Sequence, residues 1–239
     1  MLYLVMAGRK KINWKKKIGW LGYMLLIPSL IANLFLFDNQ KDQKSTYLIR
    51  GVIDGDTFVT EDYSIVRFLG VSAPELDYCG GVEAKEYLES ELVGKRVTLE
   101  VLKRENGRQL AYVYLNGEMV NAMILKSGWF DYTGAEKKYG DLLKPNYYEA
   151  KEAKRGIFGP KCTQMENPDN PKCLIKGNIG QSSNNSGGKI YHFPGCWRYD
   201  DVIVEKDRGE EWFCSEKEAE QAGYVKSKNC YGKTFKVQP

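Results

Sequence analysis

The sequence predicts a β-rich α+β protein, and three observations carry that expectation. Short runs dense in β-branched and aromatic residues, such as Thr57–Val59 and Tyr112–Tyr114, alternate in the manner of half-buried strands. Turn signals separate such runs, above all Asn116-Gly117, a strong hairpin pair. Between and after the strands lie segments with helical spacing, so the order is strands, an inserted helix, then more strands and helices.

Taken in order, strands are expected at Tyr47–Val52, Thr57–Thr60 and Ser64–Gly70. Gly81–Leu92 is expected as a helix with Val82, Ala84, Leu88 and Leu92 as its apolar positions. Arg96–Leu102 and Leu110–Leu115 read as alternating strands, with Tyr112 and Tyr114 as packing residues rather than stacking platforms for bases. Met119–Ser127 is a short apolar helix stopped by Gly128, and Tyr147–Arg155 a last helix stopped by Gly156. Residues 163–188 lack periodicity and are rich in Asn, Pro, Ser and Gly, which predicts a flexible linker and a boundary near 188. Residues 189–239 form a small α/β module in which Ser215 caps a helix with Glu218 as box partner and Gly223 as its end.

The net charge of +4 does not mark a nucleic-acid footprint. Arg9, Lys10, Lys11, Lys15, Lys16 and Lys17 supply +6 and no acid precedes Asp38, so removing that +6 leaves residues 38–239 at −2. Non-specific attraction to nucleic acid by a broadly basic surface is thereby excluded, and any affinity must come from a local patch. The basic tail, residues 1–18, leads into an apolar run, 19–37, interrupted by Pro28, Ser29 and Asn33. Nineteen residues of helix rise roughly 28 Å, close to a bilayer's hydrocarbon thickness. An uncleaved single-pass anchor with its basic end in the cytoplasm is preferred over a signal peptide, because no small-x-small site follows Phe37. Residues 38–46 are then a polar linker, and the remainder lies outside the cytoplasm, secreted if the segment is cleaved. Six cysteines (Cys79, Cys162, Cys173, Cys196, Cys214, Cys230), all beyond the apolar run, suit disulfides in such a compartment, with connectivity open.

The most informative stretch is Val52-Ile53-Asp54-Gly55-Asp56-Thr57, two acids in a tight turn between apolar runs, where Gly55 is expected to let the backbone bend. Arg67 in Ile-Val-Arg-Phe-Leu-Gly, Glu75 in Ala-Pro-Glu and Arg108 in Gly-Arg-Gln-Leu-Ala follow. Phosphodiester hydrolysis needs planar, always-protonated donors on the phosphate oxygens, which arginine supplies. It also needs a carboxylate for a hard cation and a second one to take a proton or orient water. In the order and spacing of these motifs, residues 47–162 resemble the staphylococcal nuclease family.

That resemblance implies an OB-type five-stranded barrel with helices, a single Ca²⁺ and a DNA or RNA substrate. It implies Asp56 as the metal carboxylate, Arg67 and Arg108 as phosphate clamps, and Glu75 as base or water-orienting group. One position departs from the pattern: Ser72 stands where the family carries a second metal carboxylate, which weakens the site. Ala73 would still offer a backbone carbonyl, and Asp54 would support Asp56 from behind. The loop Arg104-Glu105-Asn106-Gly107 also departs from the family's acidic-basic-Tyr-Gly sequence. Two further readings compete with a Ca²⁺-assisted nuclease: a catalytically weakened barrel that binds nucleic acid or protein, and a spacer for the C-terminal module. No obligate protein partner is evident.

The C-terminal segment Tyr-His-x-Pro … Trp-Phe-Cys-Ser resembles the small sunset module found after nuclease domains, and more faintly the zinc domain of the Ada repair protein. His192, Cys196, Cys230 and Cys214 would be its zinc ligands, with Ser227 where a cysteine is expected; a Cys196 disulfide is the competing reading. His192 is the only histidine, so a histidine-based nucleophile triad in the nuclease-like region is excluded.

Overall fold

The protein is described by a computed structural model over residues 45–180 and 188–236. The basic tail and the expected membrane anchor lie outside the described residues, among which no helix is long and apolar enough to cross a membrane. Strands β1 (Thr46–Asp54), β2 (Thr57–Thr60), β3 (Ile65–Phe68), β4 (Val71–Ser72), β5 (Arg96–Glu105), β6 (Arg108–Leu115) and β7 (Glu118–Met119) open the fold. The main sheet has the order β3-β2-β1-β5-β6-β7, and β3 also pairs in parallel with β6, so five strands form a closed ring of hydrogen-bonded neighbours. This is consistent with an OB-like architecture. The other neighbouring pairs are antiparallel, and tight turns join two of them: Gly55-Asp56 links β1 to β2, and Asn106-Gly107, with φ of 49° and 75°, links β5 to β6. Register irregularities in β1, between Ile49 and Gly51 and between Val52 and Asp54, bend the first strand.

Inward residues of the strands meet helix α1 (Gly81–Leu92) and helix α2 (Val120–Ser127). Phe58, Val66, Phe68, Ala111 and Val113 pack with Ala84, Leu88, Leu92, Ile124 and Leu125, all buried. The α1 boundaries agree with the expectation, but its buried row is Gly81, Ala84, Leu88 and Leu92. Val82 is 50% exposed, because the i, i+3, i+7, i+11 row starts one residue earlier. Gly81 is needed there: a Cβ would stand 2.0 Å from the Glu75 carbonyl oxygen. Tyr112 is buried and stacks on Tyr139 at 3.8 Å, and Tyr114 donates to Glu100, so both tyrosines pack as expected.

After β8 (Asp131–Tyr132), helix α3 spans Lys137–Glu152, starting ten residues before the Tyr147–Arg155 helix expected. Pro145 lies inside the helix, and the buried stripe of Tyr139, Leu143 and Ala150 runs across it. Packing of that stripe outweighs the one backbone bond that proline removes.

The expected linker at 163–188 carries two strands, β9 (Thr163–Gln164) and β10 (Ile175–Ile179), and residues 181–187 lie outside those described. β10 is a central strand of a second sheet with β11 (Lys189–His192), β13 (Glu211–Phe213) and β14 (Val225–Lys226), in the order β13-β10-β11-β14. β9 pairs with β12 (Val204–Glu205), and the described residues from Thr46 onward cluster as one compact unit. The alternation that hides β10 in the sequence is broken by Gly177, whose Cβ would fall 2.6 Å from the Phe213 ring. Helix α4 (Glu216–Gln221) is capped as expected: Glu218 N donates to Ser215 Oγ at 3.2 Å, while Glu218 Oε2 accepts from Cys214 N at 2.9 Å.

The disulfides are Cys79–Cys162, Cys173–Cys214 and Cys196–Cys230. They take all three cysteines of the possible zinc site, so the disulfide alternative stands and thiolates for zinc are not on offer. His192 is buried beside Lys176, and burial followed by that charge pushes its pKa below the ordinary value.

One buried amide ties the ring to α2. Asn121 Oδ1 accepts from Val113 N at 2.9 Å, and its Nδ2 donates to Leu69 O at 2.8 Å. Asn121→Ala would strand both backbone groups in the core, costing about 2–4 kcal/mol of stability. Chemical denaturation of the two proteins checks this; an unchanged midpoint would show that water replaces the amide at no cost.

Candidate active site

The turn between β1 and β2 buries Asp56, which is 3% exposed. Its main-chain N–H donates to Asp54 Oδ1 at 3.1 Å, so Asp54 shapes the turn. Gly55 is needed for close approach: a Cβ there would meet Ala73 Cβ at 2.3 Å and Ala84 Cβ at 3.0 Å. Its φ does not require glycine, which corrects the expectation of a bend-permitting residue.

Three groups donate to the Asp56 carboxylate. Arg67 Nη1 donates to Oδ1 in an ion pair, and Thr57 Oγ1 donates to the same oxygen at 2.9 Å. Ala73 N donates to Oδ2 at 3.1 Å. Arg67 Nη2 reaches Ser72 Oγ at 3.4 Å, a long contact. Burial raises the Asp56 pKa, against the pull of Arg67 and the Ala73 N–H. Ala73 thus presents its N–H to Asp56.

The β3–β6 register places Arg108 opposite Ile65 and Arg67 opposite Leu110. Two positions apart on adjacent strands, Arg67 and Arg108 share one face of the sheet. Glu75 is exposed on the loop between β4 and α1, where its carbonyl accepts from Tyr78 N at 2.9 Å. The hydrogen-bond network around Asp56 brings together Asp54, Thr57, Arg67, Ser72 and Ala73, and extends to neither Glu75 nor Arg108.

For a hard cation the donors are of the right type, oxygens of Asp56, Asp54 and the Ser72 hydroxyl. They are few: Asp56 is the one buried carboxylate of this network, and both of its oxygens already accept from protein donors. Among the described residues there is no group of three His, Cys, Asp or Glu arranged to hold a metal.

Sequence reasoning missed the residues around Ser72. Antiparallel β4 and β8 set Ser72 opposite Asp131. Asp131 Oδ2 accepts from Arg208 Nη2 at 2.9 Å, an arginine from the C-terminal module. A cavity of about 220 Å³ is lined by Ser72, Ala73, Pro74, Asp131, Asp207 and Arg208, among others. No pattern within the chain joins positions 72, 131 and 208; only the tertiary fold does.

A ring of short strands with an acid in its first hairpin and two arginines on one row defines a nuclease-type, OB-like domain. The staphylococcal nuclease homologue family matches residues 65–159, a stretch holding Arg67, Ser72, Glu75 and Arg108. A thermonuclease of Staphylococcus hyicus is 30% identical over 48% of this chain and 76% of its own length. A thermonuclease of Staphylococcus intermedius is 29% identical over 57% of this chain and 95% of its own. An uncharacterised Bacillus anthracis protein is 35% identical over 45% and 58%. The chain belongs to the staphylococcal nuclease family.

Asp207, in the cavity beside Ser72, is 8% exposed, and its pKa is raised to about 7. Burial is the main cause, with Glu205 and Asp131 adding to it and Arg208 opposing. A carboxyl whose folded pKa lies above its unfolded value of 3.8 costs stability as pH rises from there to about 7, and the full cost persists above. Asp207→Asn therefore raises Tm by about 3–8 °C at pH 8 and leaves it nearly unchanged at pH 4. Thermal melts at the two pH values decide it; an equal shift at both would place the cost elsewhere.

Proposed function

We propose that this chain is a membrane-anchored, extracytoplasmic nuclease that hydrolyses DNA or RNA phosphodiester bonds with Ca²⁺ assistance. The observation that carries the reading is Asp56 paired with Arg67 on the sheet face that also bears Arg108. Homology to two thermonucleases supports it. In this reading Arg67 and Arg108 hold the non-bridging phosphate oxygens and offset the charge that builds on them. Glu75, exposed to solvent, orients the attacking water and takes its proton. Asp56 would hold Ca²⁺ with help from Ser72 Oγ, and the bound ion would polarise the phosphate. A single carboxylate implies weak affinity, on the order of 10⁻⁴–10⁻³ M.

The competing reading, a catalytically weakened binding module, draws on Ser72 and on the donors that already occupy Asp56. Assays of the full chain in mild detergent on single-stranded DNA, double-stranded DNA and RNA, with Ca²⁺ and then chelator, separate the two. Cleavage that chelator abolishes is the expected result. Glu75→Gln and Arg67→Ala each lower kcat/KM by about 10²–10⁴-fold, and Ser72→Asp lowers the Ca²⁺ concentration giving half-maximal rate. Binding without cleavage at millimolar Ca²⁺ selects the recruitment reading instead.

The anchor is the second half of the proposal. The apolar run 19–37 behind six basic residues is its support. In intact cells, added protease should digest residues 46–239 while the chain stays with the membrane through alkaline washing. Release into the medium would mean the segment is cleaved.

A further inference from the structure

We propose that the C-terminal module positions the catalytic loop of the nuclease domain, with Arg208 as the positioning residue; this rests on the nuclease reading above. The segment 72–79 carries both Ser72 and Glu75. Within the nuclease domain its start is held by a ladder of two residue pairs between β4 and β8, the Ala73 N–H on Asp56, the close packing of Ala73 on Gly55 and the long Arg67–Ser72 contact, and its end by the Cys79–Cys162 bond.

The module's turn 205–209 meets this segment directly at Cys79 and Tyr78 and reaches Ser72 through Asp131. Arg208 Nη2 donates to Asp131 Oδ2 at 2.9 Å, and Asp131 is the residue laddered to Ser72. Cys79 N donates to Lys206 O at 3.3 Å, while Lys206 N donates to Cys162 O at 2.8 Å, so the turn bridges both ends of that disulfide. The Tyr78 ring lies on the bare Cα of Gly209, where a Cβ would stand 2.6 Å from Tyr78 Cζ. Gly209 has φ +78°, and its carbonyl accepts from Tyr224 Oη at 3.2 Å, which fixes the turn to the module's core.

Arg208 acts as a tie and not as a third phosphate clamp. Its Nε lies 3.5 Å from Glu205 and 3.9 Å from Asp207, and with Asp131 three carboxylates surround one guanidinium. A phosphate would have to displace them. Small misplacements of a catalytic group lower the chemical step far more than they lower binding.

The test uses the full chain in detergent, at a temperature where every variant is folded by near-ultraviolet circular dichroism. Arg208→Ala and Asp131→Asn each lower kcat about tenfold with KM within about twofold. Arg208→Lys recovers part of the loss, and the exchanged pair Asp131→Arg with Arg208→Asp recovers more than either exchange alone. Arg198→Ala, which breaks an exposed ion pair elsewhere in the module, leaves kcat unchanged. Wild-type kcat in Arg208→Ala, or an exchanged pair no better than its single variants, overturns the proposal. Amide exchange of residues 73–79 reads the positioning without catalysis. Faster exchange confined to that loop in Arg208→Ala supports the tie even where wild-type cleavage is absent and the nuclease reading fails; unchanged exchange overturns it.

Discussion

The parallel pairing of β3 with β6 closes the main sheet on itself. Without it the main sheet would be open, with a four-residue edge strand and an eight-residue strand offering unpaired backbone groups. Closing the ring removes those edges and encloses Phe58, Val66, Phe68, Ala111 and Val113. It also sets the row on which Arg67 and Arg108 stand, residues far apart in sequence whose separation is fixed by one register. Asn121 reinforces the same seam by binding Val113 N on β6 and Leu69 O just beyond β3.

The Asp56–Arg67 pair is a compromise that this frame enforces. Taking a carboxylate to 3% exposure carries a desolvation cost that one ion pair does not reliably offset. Thr57 Oγ and the Ala73 N–H share that burden, which is why the pair survives at the base of an otherwise solvent-open face. Such an arrangement is costly for stability alone and makes sense where a fixed negative charge has a task.

Much of the fold was legible in the chain. Regular alternation revealed the strands of the ring, and glycines at Gly128 and Gly223, with φ of 87° and 84°, marked helix ends in their expected places. Asp56, Arg67 and Arg108 were singled out by their order along the chain, and the fold pairs Asp56 with Arg67 on the face that also bears Arg108. What escaped was tertiary. Pro145 disguised the start of a helix whose stripe runs through it, and Gly177 disguised a strand that needs a missing side chain to pack. Local composition made 163–188 look like a linker, though β10 and β9 there join the module to its neighbour by strand pairing. Asp131 and Arg208 have no local signature at all, since an ion pair across a boundary between sheets leaves no periodicity to read.

The Cys79–Cys162 bond closes a loop that runs from just before α1 to the end of the nuclease domain, its ends 83 positions apart in sequence. Such a closure removes much of the freedom of the unfolded chain, on the order of 4–5 kcal/mol in an entropic account. Its other effect concerns damage. A peptide bond cut anywhere between positions 80 and 161 leaves both pieces covalently joined, so the Arg67 strand and the Arg108 strand stay within reach of each other and the ring can re-form. In surroundings rich in proteases, a chain so knotted by sulfur tolerates scission where an open one would come apart.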